Sequence, residues 1–163
     1  MVGLQQPDQH HTLHHQDNTM GLDQWAFIKI GEAPEHITDQ SEKAEYEHEN
    51  CHILLKQWRK HPNLHGWMER CWREKNNILD QYEPNTSLDD PFNGVELELT
   101  LDDIDKLEQA VIDRNLNGGF GDTKGFFFGE PADLLYRYDD LNFCKDARVA
   151  LKNGLRIIYD SSW

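Results

Sequence analysis

Positive charge is scarce in this sequence. Sixteen Lys and Arg stand against thirty Asp and Glu, giving a formal net charge of −14 and a pI near 4.9. Nucleic-acid backbones are held by clustered cations, so direct binding to one is not expected. Cysteine is sparse too. Cys51, Cys71 and Cys144 are odd in number and far apart, which fits reduced thiols and excludes a disulfide framework. No apolar run comes near the ~20 residues of a membrane helix, and the N-terminus lacks the apolar core of a signal peptide. The expected setting is the cytoplasm, with no membrane contact. There is no internal repeat.

What is present is enough for one domain with its own core: 163 residues, 37% of them hydrophobic. Residues 1–19 form a His-rich leader with almost no apolar content, which cannot offset the entropy of ordering and reads as disordered. The structured pattern begins at Met20, a candidate second start, and the expected domain is 20–163. Trp25, Phe27, Ile28 and Ile30 mark a first strand over 20–30. An acidic connection follows over 32–50, with a short helical turn after Ser41.

Residues 56–75 concentrate three of the five tryptophans and six of the sixteen Lys and Arg. HILLKQWRK (52–60) reads as a strand, because Pro62 disfavours helix at His61. Asn63 then opens a helix to Lys75 whose apolar stripe is Leu64, Trp67, Met68, Cys71 and Trp72. His65, Glu69 and Arg73 share its other face, with Glu69 and Arg73 spaced for an i,i+4 pair. Trp58, Trp67 and Trp72 read as core.

VELELT (95–100) alternates as a strand. Thr100 caps a second helix with Asp103 completing a capping box; its stripe is Ile104, Leu107, Val111 and Ile112. Residues 117–124 are a turn region, GFFFG (125–129) a short apolar strand. A third helix runs from Asp139 or Asp140 to Asn153, stopped by Gly154, and LRIIYD (155–160) is the last strand. These elements predict an α+β fold, a single-domain two-layer sandwich with a mixed sheet of about five strands and three helices on one face.

Three motifs bear on chemistry. His48–His52 reads HENCH, a literal HExxH, which on one helix would set two imidazoles for zinc. Here it straddles an acidic linker and a strand, so the expectation is no metal, with His48 and His52 as weak candidates. GGFGDTK lacks the Gly-Lys-Ser/Thr order and the following helix of a phosphate loop, so it reads as turn glycines. Arg59, Lys60 and His61 precede a helix N-terminus, where cations and amides together can bind an anion. With His65 and Lys124 they make a five-residue anion-site hypothesis. The pairs Asp89–Asp90, Asp102–Asp103 and Asp139–Asp140 read as turn and cap residues. No catalytic residues and no cofactor are assigned.

MGLDQWAF (20–27), QWRKHPNLHGWM (57–68), GFFFG (125–129) and the C-terminal block ending IYDSSW together resemble a family of small proteins. These are encoded mainly by tailed phages, including phages of marine cyanobacteria, and by some bacteria. The likeness spans most of residues 20–163, while the His-rich leader and the acidic insertion before the tryptophan strand depart from it. Some members carry a phosphoglycerate kinase label. That kinase closes a nucleotide cleft between two domains, and a single small domain cannot build one. The resemblance therefore implies an accessory protein, acting in the host cytoplasm if phage-encoded. Its acidic surface would bind a host or phage macromolecule, most simply a protein with a basic face. The alternative is a small enzyme or sensor for a phosphorylated metabolite or nucleotide.

Overall fold

The computed structural model describes residues 20–163; the leader lies outside the described residues. The fold is α+β. Four strands form one antiparallel sheet: β1 (Asp23–Lys29), β2 (His52–Arg59), β3 (Leu97–Leu99) and β4 (Arg156–Ser162), in the order β2-β1-β4-β3. Four helices accompany it: α1 (Gln40–Asn50), α2 (Pro62–Lys75), α3 (Leu101–Ile112) and α4 (Asp133–Lys152).

The alternation of β1 decides its faces. Gln24 and Ala26 are fully buried. They pair with Trp58 and Lys56 on β2 and with Ser161 and Tyr159 on β4. Leu97 and Leu99 continue this face opposite Tyr159 and Ile157. Against it pack Leu64 and Met68 of α2, Ile104 and Leu107 of α3, and Phe143, Cys144 and Ala147 of α4. Fully burying one such aliphatic or aromatic side chain stabilises the fold by ~1.5–3 kcal/mol. Trp58 is fully in this core, while Trp67 and Trp72 are half-buried against it. The three cysteines are buried and unpaired.

Several expectations need correcting. The sheet has four strands and is antiparallel throughout, not five and mixed. GFFFG is not a strand. It is a turn, with Phe128 N–H donating to Gly125 O, Phe128 buried and Phe126 87% exposed. Gly129, at φ +78°, and Gly125, where a Cβ would meet the Phe128 ring, allow the tight turn. Helix α1 replaces most of the expected acidic connection. Asp39 caps it by accepting from the Ser41 and Glu42 amides, yet none of its residues is buried, so it has no apolar stripe to read. It lies on the opposite face of the sheet, held where Glu47 meets Lys29 and the Ala33 amide, so not all helices share one face. Helix α4 starts at Asp133, six or seven residues earlier than its stripe implies, because Leu134, Leu135 and Tyr138 face solvent. β3 spans only Leu97–Leu99.

Other local readings hold. Thr100 and Asp103 form the reciprocal capping box. Gly154, at φ +78°, ends α4 with Gly154 N–H to Leu151 O and Leu155 N–H to Ala150 O, a Schellman pattern. Helix α2 differs in kind from the amphipathic reading: ten of its fourteen residues are buried. Its expected polar face is inside, with Glu69 and Arg73 paired at 2.7 Å. Gly66 lies so close to Thr123 and Tyr82 that a Cβ there would overlap Thr123 Oγ1 and sit 2.8 Å from the Tyr82 hydroxyl.

A candidate binding cleft at the head of α2

The turn from β2 into α2 builds the site. Lys60 takes a left-handed conformation (φ 54°), and its N–H donates to Leu22 O at 2.8 Å. Pro62 supplies the first helical position, and His61 before it is non-helical at φ −110°, ψ 74°. That geometry turns the His61 ring inward, where it is fully buried.

A chain of polar contacts runs from there. His61 Nε2 lies 2.8 Å from Asp140 Oδ2, and Trp58 Nε1 donates to Asp140 Oδ1 at 2.9 Å. A carboxylate only accepts, so the His61 proton sits on Nε2. Asp140 is itself fully buried, so its charge is kept inside by these two donors. The other ring nitrogen, Nδ1, lies 4.0 Å from Asp133 Oδ1, and neither atom has a hydrogen-bond partner. Asn63 Nδ2 donates to both Asp133 Oδ2 (3.1 Å) and Asp122 Oδ1 (2.9 Å), while Asn63 Oδ1 accepts from the Thr123 amide. Tyr136 stacks on His61 with ring centroids 4.8 Å apart and donates its hydroxyl to Arg59 O at 2.7 Å.

This chain underlies an open cleft of about 660 Å³. Arg59, Lys60, Asn63, Asp122, Glu130, Asp133, Leu134, Leu135 and Tyr136 line it. Three carboxylates face two cations, and Arg59 is bonded to Asp23 at 3.0 Å, so the cleft is acidic on balance. A smaller cleft of about 250 Å³, bounded by Val111, Leu116 and Arg137, shares Asp133 and Leu134 as a wall. Beside them the head of α4 carries Leu134 at 73%, Leu135 at 77% and Tyr138 at 77% exposure. At i, i+1 and i+4 these form one apolar ridge.

Of the five residues in the anion-site hypothesis, Arg59 and Lys60 line the cleft and His61 lies under it. His65 is one turn further along α2, fully buried, with Nδ1 3.3 Å from the Tyr159 hydroxyl and its ring against Phe128 and Trp163. Burial pushes its pKa down to about 3. Lys124 is exposed, does not line the cleft, and joins the loop at Pro84, Asn85 and Thr86 through its backbone. His48 and His52 stand with ring centroids 6.3 Å apart on α1 and β2, not on one helix, and His52 Nε2 is 4.0 Å from Glu96 Oε1. Among the described residues no group of three His, Cys, Asp or Glu is placed to hold a metal.

Sequence reasoning gave no site role to Asp133, Asp140, Asn63 or Tyr136, reading Asn63 and Asp140 only as helix-end residues. One signal was available. A buried tryptophan needs an acceptor for its N–H, and Asp139–Asp140 offered a carboxylate that an N-cap reading assigned elsewhere. Comparison with protein-family models, curated proteins and solved structures finds no match. Among the described residues no helix is long and apolar enough to cross a membrane.

Proposed function

We propose that this chain is a non-enzymatic binding module, an acidic accessory protein of the kind tailed phages encode, that docks a basic host or phage protein on the head of α4. One observation carries the reading. Leu134, Leu135 and Tyr138 are each about three-quarters exposed in a row beside a cleft lined by Asp122, Glu130 and Asp133. Solvent-facing apolar surface of this kind, beside a cleft that is acidic on balance, marks interaction sites. The net charge of −14 adds long-range attraction for a cationic partner.

The test is capture from bacterial lysate on immobilised full-length chain, across a salt series, with the wild type beside a Leu134→Ser, Leu135→Ser, Tyr138→Ser variant. The expected result is a partner released by rising salt and lost in the variant. A partner held equally by both proteins removes the reading.

A second reading, a sensor or enzyme for a phosphorylated ligand, draws on Arg59 and Lys60 lining the same cleft. Against it, Asp122 and Asp133 already face the head of α2 through Asn63. Inorganic phosphate titrated to millimolar concentration with Trp fluorescence as readout separates the two; a saturable response favours the sensor.

A further inference from the structure

His61 Nδ1 and Asp133 Oδ1 are buried, unpartnered and 4.0 Å apart. The hydrogen bond to Asp140 places a proton on His61 Nε2, and in the neutral ring Nδ1 presents a lone pair. Two acceptors therefore face each other, and buried acceptors are stable only with donors. A group satisfying both must carry at least two hydrogens on one atom. A nitrogen at about 2.8 Å from each atom would subtend roughly 90° between them, within the spread of ammonium hydrogens. A planar guanidinium suits a bidentate carboxylate better than a single bridging point.

The surroundings favour positive charge as well. Asp122 and Glu130 line the same cleft, and the ring of Tyr136 borders it over His61. Such a ring face attracts a cation. The Asp133 side chain is 30% exposed and lines the cleft, with the buried His61 ring beside it. We propose that this cleft seats the ammonium group of a lysine side chain from the protein partner, bridged by His61 Nδ1 and Asp133 Oδ1. The proposal rests on the binding-module reading and names the anchor residue of its partner.

The test uses the full chain labelled with ¹⁵N and four probes: a capped Gly-Lys-Gly peptide, its acetyl-lysine and arginine counterparts, and spermidine. The lysine peptide should shift the amides of Asn63, Asp133 and Tyr136 at millimolar concentration. The acetyl-lysine and arginine peptides should bind at least about tenfold more weakly, and Asp133→Asn should lose the lysine peptide by a similar factor. Glu130→Gln on the rim, which leaves the buried chain intact, should weaken it about twofold. His61 ¹⁵N shifts should report the Nε2–H tautomer before binding and a change at Nδ1 on binding.

Equal binding of the acetylated peptide overturns the proposal. So does an imidazolium His61 in the free protein, since a proton then occupies Nδ1. Spermidine binding tenfold tighter than the peptide overturns the assignment to a protein side chain. A change on the ridge alone separates the two readings. Because Leu134 and Leu135 also line the cleft, the ridge residue outside it, changed alone as Tyr138→Ser, should keep the lysine-peptide shifts while weakening capture of the macromolecular partner. Partner capture unaffected by Asp133→Asn would end the lysine seat and leave the binding module standing.

Discussion

Removing the carboxylate of Asp140 should be among the costliest single changes in this protein. Asp140 is fully buried and accepts from Trp58 Nε1 at 2.9 Å and His61 Nε2 at 2.8 Å. Asp140→Ala leaves both donors without acceptors in the core. Each orphaned buried donor costs about 1–3 kcal/mol, so the expected loss is about 2–6 kcal/mol. That is a large share of the ~5–15 kcal/mol that holds a typical domain together. Asp140→Asn is the informative companion. Its carbonyl oxygen can still accept from Trp58, while its amide donates to His61 Nε2 and forces the ring proton to Nδ1. That exchange keeps both hydrogen bonds but removes a charged acceptor, for about 1–2 kcal/mol. Urea unfolding followed by tryptophan fluorescence gives both values, read as midpoint shifts at constant slope. An Asp140→Ala loss below about 1 kcal/mol, or an asparagine variant as unstable as the alanine one, would refute the account of this network.

Three further outcomes follow from the same packing. Gly66→Ala in an exposed helix would stabilise by about 1 kcal/mol; here the new Cβ meets Thr123 and Tyr82, so the expected sign is reversed, by more than about 1 kcal/mol in urea midpoints. Burial raises the Glu69 pKa to about 7 despite Arg73, and lowers His65 to about 3. A raised carboxylate loses stability as pH climbs from about 4.5 to about 7, whereas a depressed histidine loses it as pH falls from about 6.5 to about 3. The two slopes oppose each other between about pH 4.5 and 6.5, so wild-type stability should be nearly flat there. Glu69→Gln should uncover a rise of about 1.4 kcal/mol per pH unit over that window, and an unchanged flat profile in the variant would contradict it. Thr100→Ala removes the side-chain acceptor for the Asp103 amide and should cost about 1 kcal/mol, checked by thermal unfolding.

Legibility in the sequence followed burial pattern. β1, β4 and α3 lie where the sequence places them, and Thr100 and Gly154 mark ends by their own chemistry, but the faces differ: β1 buries Gln24 and Ala26, Ile30 and Ile112 are exposed, and β4 buries Ile157, Ile158 and Tyr159 in a row. Elements that are wet or dry all round were not readable. Helix α1 buries nothing, so periodicity had no purchase on it. Helix α2 buries Glu69, Arg73 and His65, and polarity alone placed these in solvent. The head of α4 was missed because its exposed leucines break the stripe, and that break is what singles it out as a surface. Of the cleft, the cationic approach through Arg59 and Lys60 and the imidazole of His61 could be named in advance. Its carboxylates come from residues 122, 130 and 133, with Asp140 buried beneath, some sixty to eighty positions away from α2's head, and only the fold brings them there.

The most direct test is a hydrogen-exchange footprint of the full chain with and without its salt-sensitive lysate partner. The account predicts slowed exchange at residues 129–140 and at the β2–α2 turn, with α1 unchanged. Protection confined to α1 and the outer sheet face, with the head of α4 exchanging freely, would contradict it.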